Sequence, residues 1–208
     1  MTNDLFGSDT RSAPRGTPIL VIDDRSASGE HLLVLPAEAV NIAAVAFLIR
    51  HGSGFLRTAL TEDRCEELLL LPQWVHRQEV QNPYCVTVDA AEGITTGISA
   101  ADRTATIQQL LDPCAGAADF HRPGHVVPIR IRQDDQNVNA ETSVVDILAN
   151  SEIGLGFAYD HLIDSDDGEV ATILQANTFA ARFDLPVLRL SALVRKAAGR
   201  SRVTSAQR

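Results

Sequence analysis

Two segments hold most of the residues in this chain that could do chemistry: TTGISAADRTATI, Thr95 to Ile107, and HRPGHVVPIR, His121 to Arg130. Hydroxyl, carboxylate, guanidinium and imidazole groups crowd together there, punctuated by glycine, in a sequence that is otherwise apolar. That density of unlike hydrogen-bonding groups suits a pocket that grips a small polar molecule. Carboxylates and imidazoles move protons, while guanidinium and hydroxyl groups hold polar or anionic substrate atoms. The same residues also have structural uses. Thr95, Thr96 and Ser99 suit the cap of a helix that begins near Ala101, with Asp102 and Arg103 in its first turn. His51 suits a helix C-terminus and Glu141 a helix N-terminus.

The elements that must position these groups alternate along the chain. Pro18 to Asp23 and His31 to Leu35 read as buried strands, and Pro36 opens a helix that runs to about Arg50 and closes at His51-Gly52. A strand over Phe55 to Leu60 leads to a helix capped by Thr61 and ending near Leu70. Tyr84 to Asp89 alternates as a half-buried strand, and a helix from about Ala101 to Leu111 follows. Further expectations are a strand over His125 to Arg132, a helix over Thr142 to Asn150, a strand over Leu155 to Ile163 and a helix over Gly168 to Phe183. A strand over Leu185 to Leu190 and a helix capped by Ser191 close the chain. The interleaving, without a βαβ repeat, predicts one mixed α/β (α+β) domain over residues 17–195. A disordered segment is expected over 1–16 and a basic flexible tail over 196–208.

The 208 residues are 45% hydrophobic and 22% charged, enough for a core without disulfides. A net charge of -9 argues against nucleic acid and anionic membrane as partners. Three cysteines without a CxxC pair argue against a disulfide scaffold or thiolate zinc site, and the N-terminus lacks an apolar signal core. The expected location is the cytoplasm.

Seven landmarks fall in order: VIDD at Val21, PAE at Pro36, RHGSG at Arg50, LTEDR at Leu60, TTGISAADR at Thr95, RPGHVVP at Arg122 and DDG at Asp166. Together they resemble the signature segments of the 3,4-dihydroxy-2-butanone 4-phosphate synthase family. The resemblance implies that family's fold, a homodimer, and a reaction in which ribulose 5-phosphate is enolised and rearranged with loss of formate. A divalent cation would stabilise the enediolate charge.

Carried over position by position, the resemblance keeps Asp23, Glu30, His51, Thr95, Thr96, Asp102, Arg103, Arg122 and His125. It also shows departures. In the acidic loop the family's arginine falls on Ala27, the metal-binding glutamate on Ser28 and the last aspartate on Leu32. The metal-binding histidine falls on Ala140, the phosphate-binding arginine near Asn137 and the phosphate-binding threonine on Glu141. Arg57 replaces a cysteine and Leu162 a catalytic glutamate.

The leading expectation is therefore a divergent homologue with a rebuilt active site: a metal-independent enzyme acting on a small polar, non-phosphorylated metabolite. Glu30 and His125 are its acid–base candidates. Asp23, His51, Thr95, Thr96, Asp102 and Arg103 are candidate substrate contacts, with Arg57 and Glu141 as new charged ones suited to a zwitterion. No resident metal is expected; magnesium enters only if the ancestral reaction is kept. The alternatives are a non-catalytic protein that binds or regulates a partner, and an authentic synthase of riboflavin biosynthesis.

Overall fold

A computed structural model describes residues 16–25, 29–73, 83–131, 156–164 and 166–195. The expected helix at 142–150, Ser28, Trp74, Asn137, Ala140, Glu141 and both terminal segments other than Gly16 lie outside the described residues.

Strands β1 (Ile19–Ile22) and β2 (His31–Pro36) are apolar on both sides, and β1 and all but the last residue of β2 are buried. Strands β3 (Arg57–Thr61), β4 (Val88–Ala90), β5 (Phe120–Ile131), β6 (Gly156–His161) and β7 (Val187–Arg189) join them in one seven-stranded sheet ordered β4-β5-β3-β6-β2-β1-β7. The β3–β5 and β1–β7 pairs are parallel and the others antiparallel. This is the mixed α/β architecture that the sequence predicts.

Period-two alternation sends Leu20, Ile22, Leu33 and Leu35 to one face. There they pack under helices α1 (Ile42–His51), α2 (Glu62–Glu67), α3 (Ala100–Leu111) and α4 (Ile173–Phe183) through Ala44, Val45, Leu48, Cys65, Ile107, Leu110, Ala176 and Ala180. Ile19, Val21, Leu32, Val34, Ala59, Val127, Phe157 and Tyr159 face the other way, against Leu190 and Leu193.

Several boundaries differ from expectation because caps decide them. The helix expected from Pro36 is a 3-10 turn over Ala37–Ala39, and α1 starts only where the Asn41 side chain accepts the Ala44 N–H. Thr172, not Gly168, caps α4 by accepting from Gln175. Thr61 caps α2 as expected, but the helix ends after Glu67. The strand expected from Tyr84 pairs continuously only from Val88, while β5 begins earlier, at Phe120.

Candidate active site

At one end of the sheet several retained residues converge. His125, on β5, donates its backbone N–H to Asp89 Oδ1 (2.9 Å), and its ring Nδ1 lies 2.7 Å from Asp89 Oδ2. A carboxylate gripping both the backbone and the ring of one histidine fixes the orientation of the imidazole and favours the tautomer that donates from Nδ1. Nε2 is then left with its lone pair, on a side chain that is 41% exposed. Gly97 sits against this pair: its φ is +79°, and a Cβ there would come within 3.0 Å of both Asp89 Oδ2 and His125 Nδ1.

The turn that carries Gly97 is folded around Asp102. The carboxylate accepts from Thr95 Oγ1 (2.9 Å) and from the N–H groups of Thr95 and Gly97, while Ser99 caps α3 through the Asp102 N–H. Burial pushes this carboxyl up, but those donors outweigh it and hold it below the usual carboxylate range. Of the three hydroxyl residues read as a possible cap, Ser99 caps α3, while Thr95 instead donates to the Asp102 carboxylate, and the two shape the wall beside His125. Thr96 is exposed, and Arg103 Nη1 donates to Gly54 O (3.2 Å), tying α3 to the loop after α1.

Glu30 and Asp23 meet at the facing ends of β2 and β1, where Asp23 N donates to Glu30 O. Glu30 Oε2 lies 3.1 Å from His161 Nε2, and this hydrogen bond holds its carboxyl below the ordinary range. Asp23 is held low chiefly by the Arg25 guanidinium, which reaches both its oxygens at 2.9 Å.

Arg57 is buried beside the exposed ring of Phe55, 4.6 Å from its centroid, with Tyr159 at 5.6 Å. Its Nη1 donates to Phe55 O (3.0 Å) and stands 3.5 Å from Asp160 Oδ1. The expected Arg57–Glu141 grip involves a residue outside the described set; in the described structure Asp160 balances Arg57. Asp160, fully buried, also accepts from Ser53 Oγ (2.5 Å) and Gly54 N (2.9 Å). Leu162, where the resemblance puts a catalytic glutamate, is buried in the helix-side core, and the carboxylate of this strand is Asp160, two residues earlier.

His51 stands apart. Its ring packs against Phe47, Phe179 and Phe183 at 4.6–5.2 Å, and burial depresses its pKa. Arg122 also does structural work, donating to the carbonyls of Ala117, Phe120 and Leu68. Asp89, Asp160 and His161 were not singled out as site residues by the sequence. Each looks like an ordinary strand residue until strand pairing brings it to its partner.

Fold and candidate site define a mixed α/β protein with carboxylate–imidazole pairs at one end of its sheet. The family model for 3,4-dihydroxy-2-butanone 4-phosphate synthase matches residues 10–196. A 3,4-dihydroxy-2-butanone 4-phosphate synthase of Haemophilus influenzae is 36% identical over 185 residues, covering 86% of this chain and 84% of that protein. The riboflavin biosynthesis protein RibBA of Salinispora arenicola is 37% identical over 182 residues, and the match spans 86% of this chain but only 43% of that longer protein. A solved 3,4-dihydroxy-2-butanone 4-phosphate synthase in complex with two magnesium ions superposes with a TM-score of 0.71 at 28% identity, covering 86% of this chain and 89% of that one. The chain belongs to the 3,4-dihydroxy-2-butanone 4-phosphate synthase family.

The donors among the described residues do not make up a magnesium site. Among the described residues no three His, Cys, Asp or Glu side chains converge on a common point. Asp23 is occupied by Arg25 and Glu30 by His161. Ser28 and Ala140, at the metal-ligand positions given by the resemblance, offer a hydroxyl and a methyl group where a hard cation needs anionic or carbonyl oxygen.

Proposed function

We propose that this protein is an enzyme that enolises a small α-hydroxy ketone, the opening step of its family's chemistry. The observation that carries the reading is the Asp89–His125 pair, an oriented imidazole with Nε2 free, on the same sheet end as Glu30. Family membership supports taking the reaction further, from ribulose 5-phosphate to 3,4-dihydroxy-2-butanone 4-phosphate and formate, as a step of riboflavin biosynthesis. The homodimer implied by the resemblance belongs to the same proposal.

A second reading keeps the enolisation but changes the substrate to an unphosphorylated, metal-independent one. It is favoured by the replacements at Ser28, Arg57, Ala140 and Glu141, since a carboxylate at a phosphate-binding position sets like charges together. Formate release from ribulose 5-phosphate, with and without magnesium, separates the two. Magnesium-dependent formate production at enzyme-like rates establishes the synthase reaction. Its absence, together with turnover of unphosphorylated hydroxy ketones, establishes the second reading. Turnover of neither would turn the site into a binding surface and overturn both.

A further inference from the structure

His161 belongs to none of the landmark motifs, yet the strand register puts it in the candidate site. It pairs with Leu32 across β6 and β2. Two residues earlier Tyr159 pairs with Arg57, which is level with Val127 on β5. Side chains two residues apart share a face. His161, whose ring neighbours that of Tyr159, and His125 therefore lie in one row on the face that carries Val127 and Tyr159, and Phe55 reaches that face through its contacts with Arg57 and Tyr84. Val127 N bonding to Leu56 O keeps the β3–β5 register up to this point. Ser53 N bonding to His161 O, beside the Gly52–Leu162 bridge, shifts the β6 pairing by two residues, so that Gly54 and Phe55 bulge between β3 and that bridge. Asp89 reaches the row as well, since Val88 and Val126, which pair with one another, point to the helix side.

The row thus holds two carboxylate–imidazole pairs, Asp89–His125 at 2.7 Å and Glu30–His161 at 3.1 Å. Their strands are separated by two sheet spacings, about 10 Å. Between them lies the Phe55 ring, 44% exposed. That separation leaves room for a molecule of a few carbons to meet one pair at each end.

We propose that Glu30–His161 is the second acid–base pair of this site, acting from the opposite side of Phe55 to Asp89–His125 on one small α-hydroxy ketone. The proposal rests on the enolisation reading above. His125 Nε2 takes the proton from the hydroxyl-bearing carbon, and the C–H electron pair forms the new C=C bond. The carbonyl π pair moves onto oxygen, which takes the proton held between Glu30 and His161. The product is a neutral enediol, and proton return by the same two groups regenerates a ketone. Delivering a proton to oxygen avoids a free enediolate, for which the nearby Arg57 is a poor counter-charge because Asp160 already engages it.

The test is C–H to C–D exchange of dihydroxyacetone and of ribulose 5-phosphate in D2O, followed by proton NMR. The proteins compared are wild type, His161→Gln, His161→Ala and Glu30→Gln. The expected result is wild-type exchange that falls about 10²–10⁴-fold in all three variants, with melting curves unchanged and with added imidazole restoring His161→Ala. Wild-type exchange that persists in the His161 variants overturns the second pair and leaves the enolisation reading standing. A loss that imidazole does not restore in folded His161→Ala assigns His161 a structural role and also overturns it. No exchange of either probe by the wild type removes the enolisation reading and the second pair with it.

Discussion

Replacing Gly97 by alanine probes the geometry around His125 most directly. Gly97 is strained for any L-residue at φ +79°, and its new Cβ would meet both members of the Asp89–His125 pair. The left-handed backbone alone costs a non-glycine residue about 1–2 kcal/mol. Driving apart a charge-assisted hydrogen bond adds roughly 1.5–3 kcal/mol. Gly93 separates these contributions, because it has φ +76° and nothing within 4 Å of its Cβ. Gly93→Ala should therefore show the backbone cost only, and Gly97→Ala should lose about 1.5–3 kcal/mol more. At about 2–4 °C per kcal/mol for a chain of this size, the two melting temperatures should differ by roughly 3–12 °C. Urea unfolding of the three proteins gives the energies, and long-range nitrogen–proton NMR of the His125 ring reports whether Nδ1 keeps its proton on Asp89. Equal losses in the two variants, with an unchanged His125 signal, would refute the close packing of Gly97 on the pair.

Other expectations follow from particular burials and caps. His31 is fully buried with neither ring nitrogen bonded, so His31→Leu should gain about 1–3 kcal/mol in urea unfolding at pH 8. Burial depresses the folded-state pKa of His31, so the unfolded chain protonates first. Wild-type stability should therefore fall as pH drops below about 6.5, a slope that His31→Leu should flatten. Asp184 ends α4 at φ +50°, where glycine fits without strain, and Asp184→Gly should raise the melting temperature by a few degrees. Cys114 is exposed while Cys65 and Cys85 are buried, so a thiol reagent should label Cys114 alone in the native protein and all three after denaturation.

Much of the fold was legible because its signals are local. Apolar runs such as Ile19–Ile22 and His31–Leu35, the caps at Thr61 and Ser99, and the glycine-rich turn before α3 act over a few residues, and the structure keeps them. Where caps competed, the sequence misled: Pro36 looked like a helix start, but Asn41 supplies the side-chain acceptor and α1 waits for it. The candidate site was half legible. Residue type marked Glu30 and His125 as proton carriers, and the family resemblance placed them in one active site. His51 carried the same mark, yet its ring lies in a cluster of three phenylalanines that only the packing of α1 on α4 creates.

The sequence by itself determined the family, the mixed α/β class and the chemical character of the retained segments, because these depend on residue identity and short-range order. Tertiary structure alone decided which groups work together. Asp89 reaches His125 across 36 residues and Asp160 reaches Ser53 across 107, through strand pairings whose register a one-residue slip would turn to the opposite face. Glu30 finds His161 in the same way, as a diagonal neighbour across β2 and β6, and that proximity exists only once the sheet has formed.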